Sequence, residues 1–279
     1  MTYVLFDIGG TKTRVAISED LVTLGEVKKF KTPRTAKEGV VAIEKAIKEL
    51  TKEPIRGIAG GIRGTMSADK TSMVHDSVLK GWIDEPFAAE LAKKFKTKVL
   101  LENDTAVVGL GEVRFGAGKG YDIVVYHTVS TGVGGVKIED GVIDDYSIGF
   151  EPGQQILDID HTILGDGVTP TLENLVSGAA IKDRTGVEPY DIPQEDAIWD
   201  QLAYYLAHGL RNTILYWSPD VIVLGGSMVV GNPRIFLDDI IKHTNELLED
   251  ITPCPLILDA TLGDNGGLYG AMALLSDRV

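Results

Sequence analysis

Apolar residues along this chain form two kinds of pattern, short continuous runs and longer stretches at helical spacing. An apolar run from Val4 leads to an acid and a pair of glycines, and an apolar–polar alternation resumes through Val15 and Ile17, which predicts strand, tight turn and strand. The stretch from Ala36 to Leu50 repeats apolar residues every three or four positions and predicts an amphipathic helix. Further elements predicted in this half are strands at 55–62 and 98–101 and helices from Pro86 and from about Ala106. Strands that alternate with helices indicate an α/β fold.

The second half of the chain repeats the design of the first. Residues 123–129 and 133–138 again form an apolar strand, a turn rich in glycine and hydroxyl groups, and a returning strand. Two similar hairpins, each at the head of one half, predict a duplicated fold whose halves face each other. The remaining elements predicted in this half are helices from about Thr171, over 194–217, from Ile235 and from about Gly267, and strands at 221–224 and 256–258.

The first turn has the chemistry of an anion site. Gly9 and Gly10 allow positive φ and a close approach of the backbone to a ligand. Thr11 and Lys12 add hydrogen-bond donors suited to an anion. Asp7 ends the first strand, where a carboxylate is placed to hold a hydrated Mg²⁺ rather than to meet phosphate directly. For this stretch taken alone, an ordinary Gly-Gly hairpin is the alternative.

Composition narrows the range of partners. The formal net charge is −14 and the chain has no basic run, so nucleic acid and anionic membranes are not expected to bind. The one cysteine, Cys254, excludes an internal disulfide and a cysteine-rich metal site. The sequence shows no signal peptide and no apolar stretch of membrane-spanning length, so we expect a cytoplasmic protein.

Five motifs follow one another along the chain in an order that resembles a known family. They are Asp7-Ile8-Gly9-Gly10-Thr11-Lys12, Glu102-Asn103-Asp104, Ser130-Thr131-Gly132-Val133-Gly134-Gly135, Gly225-Gly226-Ser227 and Gly267-Leu268-Tyr269-Gly270-Ala271. Together they resemble the ROK family (repressors, open reading frames, kinases) of the actin-like ATPase superfamily, which also contains the hexokinases. The resemblance implies two ribonuclease-H-like lobes, each a mixed sheet flanked by helices, with the active site in the cleft between them.

The glycine-rich stretch 115–120 is the expected connection between the lobes. We expect residues 1–114 to form a smaller N-terminal lobe and residues 115–266 a larger C-terminal lobe. The C-terminal helix, at about 267–279, is expected to pack back on the N-terminal lobe. A dinucleotide fingerprint in 115–120 is disfavoured, because its glycine pattern is incomplete and it follows a helix.

The resemblance also implies a role for each motif. Asp104 would be the general base for an attacking sugar hydroxyl, although a strand end before a helix also suits an ordinary N-cap. The residues implied to bind ATP and its phosphates are Asp7 (through Mg²⁺ and water), Gly9, Gly10, Thr11, Lys12, Thr131, Gly132, Gly134, Gly225 and Gly226. The residues implied to bind the sugar are Gly64, Asn103, Asp104, Glu151, Gln154 and Glu173. Taken alone, each glutamate is more typical of a solvated surface, and Lys12 fits a surface lysine equally well.

Three departures from the family pattern bear on the ligands. Gln154 stands where the family carries a His that serves both the sugar and a structural zinc. The cysteine-rich loop of that zinc site is also missing, so we predict no zinc. On the sugar side, Val78 replaces an Asn in the family's Asn-Leu-x-Gly-Trp segment, and Arg63 alters its Gly-x-Pro-Gly turn. These changes leave the sugar specificity open.

We therefore predict an ATP- and Mg²⁺-dependent kinase for a hexose or N-acetylhexosamine, similar to a glucokinase. The family resemblance implies a homodimer. An alternative is a catalytically altered family member that binds sugar or nucleotide as a sensor. A DNA-binding regulator is disfavoured, since the first motif begins already at Asp7 and the chain is strongly acidic.

Overall fold

The computed structural model describes residues 2–147 and 149–276, which form two compact units. The first unit comprises the described residues of Met1–Gly116, Asp145–Gly149 and Leu262–Val279. The second unit comprises Ala117–Asp144 and Phe150–Thr261. The last three positions of the helix predicted at about 267–279 lie outside the described residues.

Strands and helices alternate along the chain, as the apolar spacing predicts. The strands, in chain order, are β1 (Thr2–Ile8), β2 (Lys12–Ser18), β3 (Val27–Lys31), β4 (Ile55–Ile62), β5 (Thr65–Met66), β6 (Met73–His75), β7 (Val99–Asn103), β8 (Ile123–Val129), β9 (Val133–Glu139), β10 (Val142–Ile143), β11 (Val221–Gly225) and β12 (Leu256–Asp259). The helices are α1 (Ala36–Leu50), α2 (Phe87–Phe95), α3 (Asp104–Phe115), α4 (Leu172–Val176), α5 (Gly178–Thr185), α6 (Ile198–Trp217), α7 (Ser227–Val230), α8 (Leu237–Leu248) and α9 (Gly266–Ser276). Within the described residues, no helix is both long and apolar enough to cross a bilayer.

The first unit is built on a mixed sheet with the strand order β3-β2-β1-β4-β7. β2 and β3 extend it by antiparallel pairing, whereas β4 and β7 run parallel to β1. Val4 and Phe6 of β1 belong to a core cluster shared with α1 and α2, and Leu5 belongs to one shared with α9. Burial on both faces explains why β1 is a continuous apolar run rather than an alternating one.

Helix α1 has the bounds that its apolar spacing predicts. Thr35 caps it, because its side chain accepts a hydrogen bond from the Glu38 N–H while the Glu38 carboxylate accepts one from the Thr35 N–H. This capping box satisfies donors that the first turn of a helix otherwise leaves unpaired. Val40, Ile43 and Ile47 are buried on its inner face, so local capping and core packing favour the same start and the same orientation.

The second unit repeats the topology of the first. Its sheet has the order β10-β9-β8-β11-β12, with antiparallel pairing of β8, β9 and β10 and parallel pairing of β8, β11 and β12. Leu202, Leu206 and Leu210 of α6 lie in the core against the sheet residues Ile222 and Leu224. The predicted duplication is therefore confirmed in the order and direction of the strands.

Helix α6 begins at Ile198, four residues later than its apolar spacing predicts. The residues before it form a turn in which the Asp196 N–H donates to the Pro193 carbonyl over 3.1 Å. The Asp196 carboxylate then accepts the N–H of Ile198 at 2.9 Å. Asp side chains compete for nearby backbone donors. Residues 194–197, predicted as the first part of the helix, therefore form this turn instead.

Three further helical segments differ from expectation. Helix α8 begins at Leu237, and Ile235 lies in the loop before it, where its N–H donates to the Met228 carbonyl over 2.8 Å. Ile235 is nevertheless fully buried, so its apolar character reflects the core rather than the helix. Helices α5 and α7 were not predicted, because short helices span too few turns to show an apolar period.

Candidate functional site

In the first unit, the carboxyl ends of β1, β4 and β7 lie side by side. The pairing places Asp7 beside Gly61 and Gly61 beside Glu102. The residues that follow these strands therefore meet at one edge of the sheet. This edge holds the turn at residues 9–12 (the first turn), the loop at 63–64 and the start of α3, which carry many of the predicted site residues.

Helix α3 brings Asp104 to this edge. It begins at Asp104 rather than near Ala106, and its N-cap is Asn103, whose Oδ1 accepts the Ala106 N–H over 3.0 Å. The alternative in which Asp104 is the cap is therefore wrong. A Cβ atom at Gly61 would lie 2.9 Å from the Asp104 Cα, so the absence of a side chain at Gly61 lets the helix start approach β4 closely.

The carboxyl of Asp104 has an unusual environment. Burial raises its pKa to about 6, and the negative charges of Asp7 and Asp76 add to the rise. The N–H of Thr105, which donates to Oδ1 over 2.8 Å, and the charge of Arg63 act in the opposite direction on the pKa. A carboxyl with this pKa is ionised at neutral pH and is basic enough to accept a proton during a reaction.

Only one oxygen of the Asp7 carboxyl, Oδ2, accepts a hydrogen bond within the described residues. Arg14 donates from Nη1 to the Asp7 Oδ2 over 3.0 Å and also contacts Asp264 over 3.0 Å. Burial raises the pKa of Asp7, and the Arg14 charge opposes the rise. Within the described residues, Oδ1 of Asp7 accepts no hydrogen bond. A part-buried carboxylate oxygen without a donor suits Mg²⁺ or one of its water ligands, so this residue fits the predicted metal role.

The first turn is stabilised from within the sheet and presents its tip to solvent. The Gly9 N–H donates to the Lys12 carbonyl over 3.1 Å, and the Thr32 hydroxyl donates to the Gly9 carbonyl over 2.7 Å. Thr11 and Lys12 are exposed, and Gly10 is partly so. The turn can therefore offer backbone N–H groups and the Thr11 hydroxyl to an anion without rearranging.

Of the residues predicted to bind the sugar, the structure brings Gly64 and Asn103 together. The Asn103 Nδ2 donates to the Gly64 carbonyl over 3.0 Å. Gly64 has φ of +103°, and a Cβ atom there would lie 2.6 Å from the His75 carbonyl oxygen. Glycine is thus required at this position, and it holds the loop against the Asn103 amide, which the family resemblance assigns to the sugar.

In the second unit, the turn at residues 130–135 (the second turn) is the counterpart of the first. The Ser130 N–H donates to the Gly132 carbonyl over 2.8 Å, while Thr131 is exposed. Glu173 supports this turn, since its Oε2 accepts the Val133 N–H over 2.8 Å. The structure therefore brings the predicted sugar residue Glu173 to a predicted phosphate turn within the same unit.

Gln154 and Glu173 also contact each other. The Gln154 Nε2 lies 3.3 Å from the Glu173 Oε1, within hydrogen-bond distance. Glu151 is exposed and immediately precedes the short helical turn Pro152–Gln154, in which the Gln154 N–H donates to the Glu151 carbonyl over 3.0 Å. The three predicted sugar residues of this unit thus form one group.

A cavity of about 280 Å³ lies beside the second turn, within the second unit. Gly225 and Gly226 lead from β11 to Ser227 at its wall, and Gly226 has φ of +88°. Sequence reasoning missed its other lining residues, which come from α5, from α7 and from the segments around 188–190 and 232–233: Gly178, Ala179, Glu188, Pro189, Tyr190, Met228, Asn232 and Pro233. No local pattern could have identified them, because only the tertiary fold brings these segments together.

No group of three or more His, Cys, Asp or Glu side chains arranged to hold a metal ion occurs in the described part of the chain. The absence of zinc stays a prediction. His161, the histidine nearest the position of the missing zinc loop, is half-buried, and its Nδ1 lies 3.0 Å from the Gly165 carbonyl oxygen.

Comparison with known proteins bears on the family and the fold. The ROK family model matches residues 3–278. A fructokinase from Lactococcus lactis subsp. cremoris is 28% identical over 240 residues, which cover 81% of this chain and 79% of that protein. The ROK hexokinase from Thermus thermophilus has a TM-score of 0.82 and 26% identity, covering 100% of this chain and 99% of that one. A ROK family glucokinase from Streptomyces griseus, solved with glucose and AMPPNP, has a TM-score of 0.80 and 25% identity, covering 98% of this chain and 99% of that one.

The family match extends over nearly the entire sequence, and the structural matches include both mixed sheets with their flanking helices. The predicted family and the predicted fold class are both confirmed. This chain belongs to the ROK family.

Proposed function

We propose that this chain transfers the γ-phosphoryl group of ATP to a hydroxyl of a hexose or N-acetylhexosamine, with Asp104 as the general base. The enzyme class is that of an ATP-dependent sugar kinase, which agrees with the family and with the named activities of its relatives. The observation that carries the proposal is Asp104 itself. Its pKa of about 6 and its position at the edge that holds the first turn suit a base for a hydroxyl attacking a phosphoryl group.

The reaction would proceed by direct transfer. The Asp104 carboxylate accepts the proton of the sugar hydroxyl as the hydroxyl oxygen forms a bond to the γ-phosphorus. The bond between the γ-phosphorus and the oxygen that bridges it to the β-phosphate breaks, and ADP leaves with that electron pair. The protonated Asp104 then returns its proton to solvent. Positioning and charge neutralisation supply most of the catalysis in such transfers.

The family resemblance assigns groups in each unit to the phosphates of ATP. In the first unit these are the backbone of Gly9 and Gly10 and the Thr11 hydroxyl, and Lys12 is assigned to phosphate by resemblance. In the second unit they are Thr131, Gly132 and Gly134, with Gly225 and Gly226 beside the 280 Å³ cavity assigned to adenosine. Mg²⁺, when bound, neutralises charge on the β- and γ-phosphates. Asp7 would hold it through a water ligand.

The sugar would be bound by the groups that the structure assembles in each unit. Asn103 uses one amide N–H on the Gly64 carbonyl and keeps a second for a hydroxyl. Glu173 and Gln154 retain acceptor and donor capacity beyond the contacts they make with Val133 and with each other. Hydroxyl-rich ligands are recognised by such mixed donor and acceptor groups, which supports a sugar rather than an apolar substrate.

The test is a substrate panel followed by an isosteric change at the base. Purified protein with ATP, Mg²⁺ and glucose, fructose, mannose, N-acetylglucosamine or N-acetylmannosamine should release ADP with at least one sugar. Asp104→Asn should then lower kcat by roughly 10²–10⁴, the contribution typical of a general base. The affinity for AMPPNP, an ATP analogue, should change little.

Two outcomes would reject parts of the proposal. If no sugar of the panel supports ADP release although the nucleotide binds, the kinase assignment fails. If Asp104→Asn weakens nucleotide binding as strongly as turnover, Asp104 is a structural residue and not the base. Thr105→Ala is a suitable control, since its side chain is not assigned to either ligand and its backbone N–H is retained.

A sensor without phosphoryl transfer is the second candidate. The contact between Gln154 and Glu173 favours it, because two of the proposed sugar residues partly satisfy each other and one replaces the family's His. Calorimetry would decide between the two functions. Sugar binding at micromolar or lower Kd with no ADP release over hours would identify the sensor.

The homodimer stays a prediction, as does the absence of zinc. Analytical ultracentrifugation of the purified chain measures the first. Metal analysis of protein purified without chelators measures the second. A stoichiometric zinc content would overturn the conclusion drawn from Gln154 and the missing cysteines.

A further inference from the structure

Arg63, which alters the family's Gly-x-Pro-Gly turn, lies on the first turn. Its backbone N–H donates to the Ile8 carbonyl over 3.0 Å, which places it directly after the paired ends of β1 and β4. Its side chain crosses Gly10, where a Cβ atom would lie 2.8 Å from Nη1 and 3.3 Å from Cδ of Arg63. The guanidinium therefore occupies the space that a side chain at Gly10 would take.

A buried carboxylate holds this guanidinium by one nitrogen. The Arg63 Nε donates to Oδ1 of Asp76 over 2.9 Å, and Asp76 is 8% exposed. The other oxygen of Asp76 accepts the N–H groups of Val78 and Leu79 over 2.9 and 2.5 Å. Val78, the other altered position on the sugar side, also approaches the same point, with its Cγ1 at 3.3 Å from the Cβ position of Gly10. The two departures from the family thus form one cluster around Asp76.

The remaining donors of Arg63 have no partner. Within the described residues, Nη1 and Nη2 make no hydrogen bond, and the side chain keeps 33% of its surface exposed. An arginine fixed through Nε presents its two terminal nitrogens as a planar pair of donors, the geometry that matches the oxygens of a phosphoryl group. Its charge also reaches Asp104, where it acts to lower the pKa of the proposed base.

We propose that Arg63 is a catalytic residue of this chain, whose terminal nitrogens contact the phosphoryl group during its transfer. The inference rests on the proposed function, since it requires a phosphoryl group bound at the first turn. Arg63 moves no proton. It stabilises negative charge on the non-bridging oxygens while the bond to the sugar oxygen forms and the bond to ADP breaks.

The position over Gly10 favours the phosphoryl group over an anionic group of the sugar. Gly10 belongs to the turn whose backbone donors suit phosphate, whereas the groups assigned to the sugar in this unit are the Asn103 amide and the Gly64 loop. A guanidinium that instead bound a sugar carboxylate would change KM and sugar preference rather than kcat. The experiment separates these sources of the anion.

The test compares Arg63→Met with Arg34→Met, the same substitution at an exposed arginine of the same unit. Arg63→Met should lower kcat by roughly 10²–10³, the loss typical of removing one donor to transition-state charge, with the sugar KM within about threefold of the wild type. Arg63→Lys keeps the charge but not the paired donors, so its kcat should lie between those of the wild type and Arg63→Met. Arg34→Met should match the wild type.

Chemical rescue provides a readout that a structural role would not produce. Guanidinium chloride at millimolar concentration should raise the kcat of Arg63→Ala and leave that of the wild type unchanged. A kcat for Arg63→Met within about threefold of the wild type would overturn the inference. A raised sugar KM of Arg63→Met at unchanged kcat would also overturn it. So would a hexuronic acid that the wild type phosphorylates and Arg63→Met does not. Both results would mean that Arg63 binds an anionic group of the sugar. If Arg63→Met does not fold, absence of rescue in folded Arg63→Ala overturns it instead.

Failure of the inference and failure of the proposed function are distinguishable. If the wild type and Arg63→Met are equally active while Asp104→Asn is not, only the inference on Arg63 is rejected. If the wild type turns over no sugar, the proposed kinase activity is rejected and the role of Arg63 with it.

Discussion

The behaviour of Asp104 is set by its neighbours more than by its own chemistry. A free aspartate is a weak base at neutral pH, and burial next to Asp7 and Asp76 makes this one stronger. Arg63 and the Thr105 N–H limit the rise in pKa, so the carboxyl stays ionised where the enzyme would work. The same set of charges that tunes the base therefore also lies next to the first turn.

This environment predicts an acid limb in the rate profile. Only ionised Asp104 can accept the proton, so kcat/KM should fall about tenfold per pH unit below an apparent pKa of about 6. The Asp7 charge raises this pKa, so Asp7→Asn should shift the titration of Asp104 to lower pH. Carbon-13 NMR of the Asp104 carboxyl in both proteins measures the shift without requiring activity. An unshifted titration in Asp7→Asn would contradict the assigned cause.

At the scale of elements, helix α3 links stability to the site through its cap. Asn103 caps the helix with its oxygen and holds the Gly64 loop with its nitrogen. Helix α1 is also capped by a side chain, that of Thr35, which lies far along the sequence from any assigned ligand residue. The two caps therefore allow capping and site effects to be separated.

Removal of either cap should cost stability, but only one should affect activity. Asn103→Ala and Thr35→Ala should each lower the free energy of unfolding by about 0.5–2 kcal/mol, since both leave helix donors unpaired. Asn103→Asp should restore the cap oxygen but not the donor to Gly64. Urea denaturation and sugar KM, measured on all three variants, test this. Equal KM for Asn103→Ala and Thr35→Ala would show that Asn103 acts only as a cap.

At the scale of the whole molecule, a buried histidine couples stability to pH. His127 of β8 is fully buried, with Nε2 at 3.1 Å from the Thr213 hydroxyl and Nδ1 without a partner among the described residues. Burial lowers its pKa to about 4. An unfolded chain would therefore bind a proton at this residue at a higher pH than the folded one.

The sign of the effect follows from that difference. The stabilisation from neutral His127 is fully present above the unfolded pKa of about 6.5 and is lost as pH falls from there towards about 4. The loss should approach about 3 kcal/mol in the transition of the second unit, from 1.36 kcal/mol per pKa unit. Urea denaturation at several pH values should show this loss of stability in the wild type and not in His127→Gln. His75→Gln, at an exposed histidine, is the control. If the wild type and His127→Gln differ in free energy of unfolding by the same amount at every pH, the pH dependence does not come from His127.

Most of the secondary structure followed from the apolar pattern, because side-chain periodicity is a local property. The bounds of α1 and the hairpins at the head of each half were predicted closely, and their repetition predicted the duplicated sheets. The starts of α3 and α6 were not, because Asn103 and Asp196 bind nearby backbone donors and change where each helix begins. Short α5 and α7 carried no periodic signal.

The sequence by itself determined the α/β class, the glycine turns suited to phosphate, the acid that follows β7 and the family. These depend on residue types within a few positions of one another. Only the tertiary structure decided that Arg63 covers Gly10, that Asp76 anchors it, and that segments distant in sequence line the cavity beside Ser227. It also decided the pKa of Asp104, since desolvation and charge act through space and depend on what the fold packs around a carboxyl.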